Sequence, residues 1–112
     1  MTQEENIAAL ALKLKELALA RRATVGTAES CTGGLIAAAI TAVPGSSEYF
    51  LGGVVSYANS VKAKLLGVPE EILGTVGAVS GECARFMAQG AATALGADWA
   101  VSVTGVAGPD GG

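Results

Sequence analysis

Apolar residues recur along this chain either with the spacing of one helix face or as short runs bounded by turn residues. Residues 3–21 follow the i, i+3, i+4, i+7 spacing of an amphipathic helix. Thr2, with Glu5 three residues later, is expected to cap this helix, and Asn59 is expected to cap a later one. The same patterns predict further helices at 35–43, 60–66 and 80–95, a single helical turn at 70–73, and strands at 24–28, 51–57 and 99–103.

Strands and helices therefore alternate along the chain, which is typical of an α/β fold with a mostly parallel sheet covered on both faces. We expect residues 1–112 to form a single domain, because no linker or repeat interrupts the pattern. Three strands make a thin sheet, and the sequence ends in a glycine-rich loop. We therefore expect that the C-terminal part of the natural domain is missing.

Composition narrows the possible chemistry. The chain has no histidine, which excludes a Ser-His-Asp triad, a Cys-His dyad and most zinc sites. The net charge of −3 argues against a nucleic-acid partner. No apolar run is long enough for a membrane span, and the acidic N-terminus does not resemble a signal peptide, so we expect a cytoplasmic protein. The two cysteines form no CxxC pair and are expected to be reduced thiols.

Three polar or glycine-rich segments follow the three predicted strands, where parallel α/β sheets bind their ligands. In the first, Ser30 lies between a strand and Gly33-Gly34, where backbone N–H groups could hold an oxyanion or a phosphate. The simpler alternative is that Ser30 or Thr32 only caps the next helix. Cys31 is a rival nucleophile, because a helix N-terminus lowers the pKa of a thiol.

The second segment combines the phenol of Tyr57 with the amines of Lys62 and Lys64. An amine in the first turn of a helix opposes the helix dipole, and with some burial it could act as a general base. The alternative is that both lysines are solvated surface groups.

The third segment offers the hydroxyl of Thr104 and a glycine-rich loop, 105–112, that could wrap a ligand. The alternative is an ordinary turn-rich loop, and we expect Asp110 to be a turn residue. Glu29 precedes Ser30 directly, so its side chain is expected to point away from the site in a supporting role.

Four motifs occur together in this order: AESCTGG, PGSSEYFLGGVVSYANSVKAKLLGV, GAVS and SVTGVAGPDGG. They resemble the CinA C-terminal domain, a family that includes bacterial nicotinamide-nucleotide amidases, over nearly the whole chain. The resemblance implies a three-layer α/β/α sandwich with a mostly parallel central sheet. It also implies that a further strand and a C-terminal helix follow the last motif.

Carried over by position, the resemblance implies that Ser30 is the nucleophile, Lys62 its general base and Tyr57 a residue that orients or polarises. Lys64 does not match a constant position of the family. The residues expected to contact the substrate are Cys31, Thr32, Gly33, Gly34, Asn59, Thr104 and Gly105. We expect no metal and no cofactor.

The resulting functional hypothesis is hydrolysis of nicotinamide mononucleotide to nicotinate mononucleotide and ammonia by a Ser-Lys mechanism. The expected partner is this small nucleotide, and we expect a homo-oligomer. One alternative is a non-catalytic binding or regulatory module related to competence or DNA damage. Phosphotransfer is a weaker alternative, because the chain has no GxxxxGK[ST] motif.

Overall fold

The computed structural model describes residues 2–75 and 77–105, and α-helices alternate with β-strands along them. The elements in chain order are α1 (Gln3–Arg21), β1 (Val25–Glu29), α2 (Leu35–Thr41), a 3-10 turn (Ser46–Glu48), β2 (Phe50–Val55), α3 (Asn59–Leu66), α4 (Glu70–Thr75), α5 (Gly81–Leu95) and β3 (Trp99–Val103).

The three strands form one parallel sheet with β1 in the centre, in the order β2-β1-β3. All five residues of β1 are buried, whereas β2 and β3 are partly exposed. Glu29 lies opposite both Val55 and Val103, so the three strands end in one row. The segments that follow them therefore meet at the same edge of the sheet.

Each face of the sheet carries its own hydrophobic core, because the side chains of β1 alternate between the two faces. Val25 packs with residues of α1 and α2, whereas Ala28 packs with residues of α3 and α5. The first core is built around Ala18, Val25, Ile40 and Tyr49, and the second around Ala28, Leu66, Val68, Cys83, Met87 and Ala91. Helices thus cover both faces, which confirms the expected three-layer α/β/α arrangement.

Two helix ends test the capping predictions. The Thr2 hydroxyl accepts a hydrogen bond from the Glu5 N–H, as predicted. The prediction that Asn59 caps α3 is wrong, because Asn59 is the first residue of that helix and Ala58 occupies the cap without a side-chain bond. The Ala58 carbonyl accepts the N–H of Lys62, so the first helical bond already begins there.

Two boundaries differ from the sequence pattern for a local reason. β2 ends at Val55 rather than at Tyr57. The bond from the Ser56 N–H to the Glu29 carbonyl is the last one between β2 and β1, and the Tyr57 carbonyl accepts a hydrogen bond from Lys62 instead of one from the sheet. α2 ends at Thr41, since the last turn tightens to an i−3 bond from Val43 before Pro44. Within the described part of the chain, no helix is both long and apolar enough to cross a membrane.

Candidate active site

Ser30 and Lys62 meet at the carboxyl edge of the sheet. Ser30 follows β1 directly, and its N–H donates to the carbonyl of Val103 at 3.0 Å. Lys62 projects from α3, with Nζ 3.0 Å from the Ser30 Oγ and 2.8 Å from the Tyr57 carbonyl oxygen. The amine is therefore held between the hydroxyl and a fixed main-chain acceptor.

Both side chains are almost fully buried, with 4% of Ser30 and 1% of Lys62 exposed. Burial lowers the pKa of the Lys62 amine, because the charged form loses its hydration. The thiols of Cys83 and Cys31 oppose this effect when ionised, but burial raises the pKa of the Cys83 thiol and favours its neutral form. A lysine in this setting can take a proton from a neighbouring hydroxyl.

Glu29 points away from Ser30 and caps α2, which confirms its expected supporting role. Its carboxylate accepts the Thr32 hydroxyl at 2.7 Å and the N–H groups of Ile36 and Ala37 at 2.8 and 2.9 Å. The alternative prediction that Ser30 or Thr32 caps this helix is therefore wrong. Capping rules compare residues two or three positions apart, whereas the Glu29 carboxylate accepts N–H groups seven and eight residues later, so these rules do not predict this cap.

The loop between β1 and α2 presents backbone donors beside Ser30. Gly33 and Gly34 have φ values of 63° and 109°, a left-handed conformation that favours glycine. Among the described residues, nothing accepts a hydrogen bond from the N–H groups of Cys31, Thr32 or Gly34. These three donors lie in the loop that follows the hydroxyl, the position where an oxyanion hole is needed.

The segment after β3, which carries Thr104 and Gly105, lies beside the loop that follows Ser30. A methyl group at Gly105 would lie 3.3 Å from the Cys31 Sγ, so this residue lies beside the loop. The Thr104 hydroxyl donates to the Ala78 carbonyl at 2.7 Å, which ties the end of β3 to the segment before α5. A cleft of about 440 Å³ adjoins Thr104 and is also lined by Ser80 and Gly81. Residues 106–112, with Asp110, lie outside the described residues.

Tyr57 and Asn59 are both exposed. The Tyr57 side chain is 68% exposed, and the contact that the structure shows is that of its carbonyl with Lys62. Lys64 is exposed on the same helix, in contrast to Lys62. The roles assigned to the Tyr57 phenol and to the Asn59 amide stay predictions.

The sequence reasoning missed three contributors to the site's surroundings. Ser56 is fully buried, and its hydroxyl lies 3.4 Å from the Glu29 carbonyl oxygen. The Ala78 carbonyl holds Thr104, and the Cys83 thiol lies close enough to influence the Lys62 amine. A polar residue directly after a strand could have pointed to Ser56, whereas the other two contacts join segments far apart in the sequence.

Within residues 2–75 and 77–105, no group of three His, Cys, Asp or Glu side chains is placed to hold a metal ion. Cys31 and Cys83 are both free thiols, half-buried and buried. The reactive groups that the described residues bring to this edge of the sheet are the Ser30 hydroxyl, the Lys62 amine, the Cys31 thiol and backbone N–H groups.

Fold and site together define an α/β/α domain with a buried Ser-Lys pair at the carboxyl edge of a parallel sheet. The chain matches the model of the CinA C-terminal domain over residues 7–112 and belongs to that family.

Similar proteins carry related names. A CinA-like protein of Leptospira borgpetersenii is 58% identical over 100 residues, and one of Citrifermentans bemidjiense is 56% identical over 110. These matches cover 89% and 98% of the chain and 24% and 26% of the relatives. The chain thus spans about a quarter of the length of these relatives.

Solved structures share the fold over a larger part of their length. The competence/damage inducible protein CihA from Agrobacterium tumefaciens superimposes with a TM-score of 0.89 at 48% identity, covering 95% of this chain and 64% of that one. A CinA superfamily protein from Escherichia coli superimposes with a TM-score of 0.92 at 34% identity, covering 100% of this chain and 65% of that one.

Proposed function

We propose that this protein hydrolyses the carboxamide of nicotinamide mononucleotide to give nicotinate mononucleotide and ammonia. The observation that carries the proposal is the contact between the buried Lys62 amine and the Ser30 hydroxyl, 3.0 Å apart. A serine needs an adjacent base to attack an amide, and a chain without histidine must use another residue for this.

In the first half-reaction, the neutral Lys62 amine takes the proton of Ser30 while the Oγ forms a bond to the carboxamide carbon. The carbonyl oxygen becomes an oxyanion, which the N–H groups of the loop after Ser30 stabilise. The C–N bond then breaks, and the leaving nitrogen takes the proton from Lys62 and departs as ammonia. An ester between the Ser30 oxygen and the pyridine carbonyl remains.

In the second half-reaction, water attacks the ester carbon and Lys62 takes the water proton. The bond to the Ser30 oxygen breaks, Ser30 recovers a proton from Lys62, and the acid is released. The Tyr57 carbonyl, 2.8 Å from Nζ, holds the amine in place through both steps.

The ribose phosphate needs room and donors away from the Glu29 carboxylate, which already occupies two N–H groups of α2. The cleft of about 440 Å³ beside Thr104 has the size of a small-ligand site and is lined by the polar side chains of Ser80, Ser102 and Thr104. Two further proposed substrate-binding residues, Cys31 and Gly105, lie close to each other, since a Cβ at Gly105 would be 3.3 Å from the Cys31 Sγ.

We also propose that the protein is a cytoplasmic homo-oligomer that acts on a small nucleotide and has no nucleic-acid partner. A pI near 4.8 supports the last point. Exposed leucines on α1, among them Leu10 and Leu12, support self-association.

The test is ammonia release from nicotinamide mononucleotide by wild type and three variants. Ser30→Ala and Lys62→Met are expected to lose activity, while Lys64→Met, an exposed lysine on the same helix, should keep it. Absence of ammonia from the folded wild type would contradict the proposal and favour a non-catalytic binding module.

A further inference from the structure

The Glu29 side chain is a fully buried carboxylate that makes hydrogen bonds to the loop after Ser30 and to the helix that follows this loop. Only 1% of it is exposed. Oε1 accepts the Thr32 hydroxyl within the loop and the Ile36 N–H at the start of α2, and Oε2 accepts the Ala37 N–H. Burial of a polar group at this depth is costly unless hydrogen-bond donors replace its water, and three donors do so here.

The main chain of the same residue is fixed as well. The Glu29 carbonyl accepts the Ser56 N–H at 2.7 Å, and Glu29 lies in register with both neighbouring strands. The carboxylate therefore connects a rigid strand end to the loop and to the first turn of α2. Ser30 lies within the segment that these bonds span, as do the N–H groups of Cys31 and Thr32, which have no acceptor within residues 2–75 and 77–105.

The Glu29 carboxylate accepts N–H groups at the start of α2 and so compensates the positive end of the helix dipole. The positive end of α2 already faces a carboxylate, so it is a poor site for a second negative charge. Stabilisation of an oxyanion must then come from the loop N–H groups, whose directions depend on the loop conformation. Hydrogen-bond donors act on a transition state only when they are held in place before the reaction.

We propose that Glu29, acting through Thr32, is a positioning residue that holds the loop at 30–34 in the geometry needed for attack by Ser30. This inference rests on the proposed function for its substrate, but not for the reactivity of Ser30. A misplacement of about 1 Å at an active site can cost about 10²-fold in rate, which sets the expected size of the effect.

The variants separate positioning from simple helix capping. Glu29→Gln loses an acceptor, since its amide NH₂ faces a donor, and Thr32→Val removes only the hydroxyl. Thr32→Ser keeps the hydroxyl and should restore the rate. Asp98→Asn is a matched control, because Asp98 also accepts a backbone N–H and a threonine hydroxyl, both from Thr24, at the opposite end of the sheet.

The experiment measures kcat and KM for ammonia release on the full chain, with thermal unfolding in parallel. We expect kcat to fall about 10²-fold in Glu29→Gln and in Thr32→Val with KM changed by no more than about twofold. Asp98→Asn should keep the wild-type kcat, and Thr32→Ser should recover most of the rate that Thr32→Val loses. Lower melting temperatures with unchanged kcat in both Glu29→Gln and Thr32→Val would overturn the inference, and if Glu29→Gln does not fold, Thr32→Val decides alone.

A second readout does not depend on the substrate. A fluorophosphonate probe labels activated serines, and we expect it to label Ser30 about 10²-fold more slowly in Glu29→Gln and Thr32→Val than in wild type. If wild type is labelled but releases no ammonia, the proposed substrate fails, and the labelling rates still decide the role of Glu29. Equal rates in wild type and both variants, or no labelling of Ser30 in wild type, would overturn the inference.

Discussion

The close approach of α3 and α5 at Gly90 is a point where a single methyl group should disturb both stability and the Ser-Lys pair. A Cβ at position 90 would overlap the Leu66 carbonyl oxygen and lie 2.6 Å from its carbon and 2.8 Å from the Leu66 Cα. These are backbone atoms, so no side-chain rotation relieves the contact. Gly90→Ala must push the two helices apart.

The change in the free energy of unfolding in Gly90→Ala is the difference between two opposing contributions. Overpacking in a closely packed core costs about 1–3 kcal/mol, and a contact with backbone falls at the upper end of this range. Alanine in place of glycine inside a helix returns up to about 1 kcal/mol. We expect a net loss of about 2 kcal/mol, which for a domain of this size lowers Tm by about 10 °C.

The same displacement should reach the active site. Lys62 precedes Leu66 by one turn of α3, and its Nζ lies 3.0 Å from the Ser30 Oγ. A shift of the helix by about 1 Å would lengthen this contact and slow catalysis about 10²-fold.

The assay is thermal unfolding and ammonia release for Gly90→Ala beside Gly74→Ala. Among the described residues, nothing lies within 4 Å of a Cβ at Gly74, so this control tests helix propensity alone and should gain about 0.5–1 kcal/mol. A Gly90→Ala protein as stable as Gly74→Ala, with wild-type turnover, would refute the reasoning.

Two further predictions concern a helix cap and a pH dependence. Asn59→Ala should change the free energy of unfolding by less than about 0.5 kcal/mol, whereas Ser80→Ala, which removes the cap that accepts the Cys83 N–H, should cost about 1 kcal/mol. Denaturant titration compares the two variants, and a larger loss in Asn59→Ala than in Ser80→Ala would contradict the finding that Asn59 does not cap α3. Burial lowers the pKa of Lys62 in the folded protein, so the unfolded state binds more protons between that pKa and the ordinary value of about 10.4. Stability should therefore rise with pH across this window in wild type and rise less in Lys62→Met; a rise of equal size in both would show that another group causes it.

The fold could be predicted because its signals are local. The apolar spacing of residues 3–21 and the glycine at position 96 mark helix limits that the structure places at Arg21 and Leu95. The alternation of strands and helices then predicts a parallel sheet, and a parallel sheet brings the segments after its strands to one edge. The meeting of the segments that carry Ser30 and Lys62 follows from this topology.

The finer contacts could not be predicted, because each joins residues that local rules do not compare. The cap of α2 comes from Glu29, seven and eight residues before the N–H groups that it accepts. Asn59 has the residue type of a cap, but backbone geometry places the helix start one residue earlier. The bond from Thr104 to the Ala78 carbonyl depends on how α5 packs on β3.

The central claim is that Ser30 is the nucleophile and that Lys62 activates it. It is tested most directly by mass spectrometry of peptides from enzyme quenched during turnover of nicotinamide mononucleotide. We predict an adduct on Ser30 with the mass of the substrate less ammonia, present in wild type and absent in Ser30→Ala and Lys62→Met. An adduct on Cys31, or full turnover by Ser30→Ala, would contradict the account.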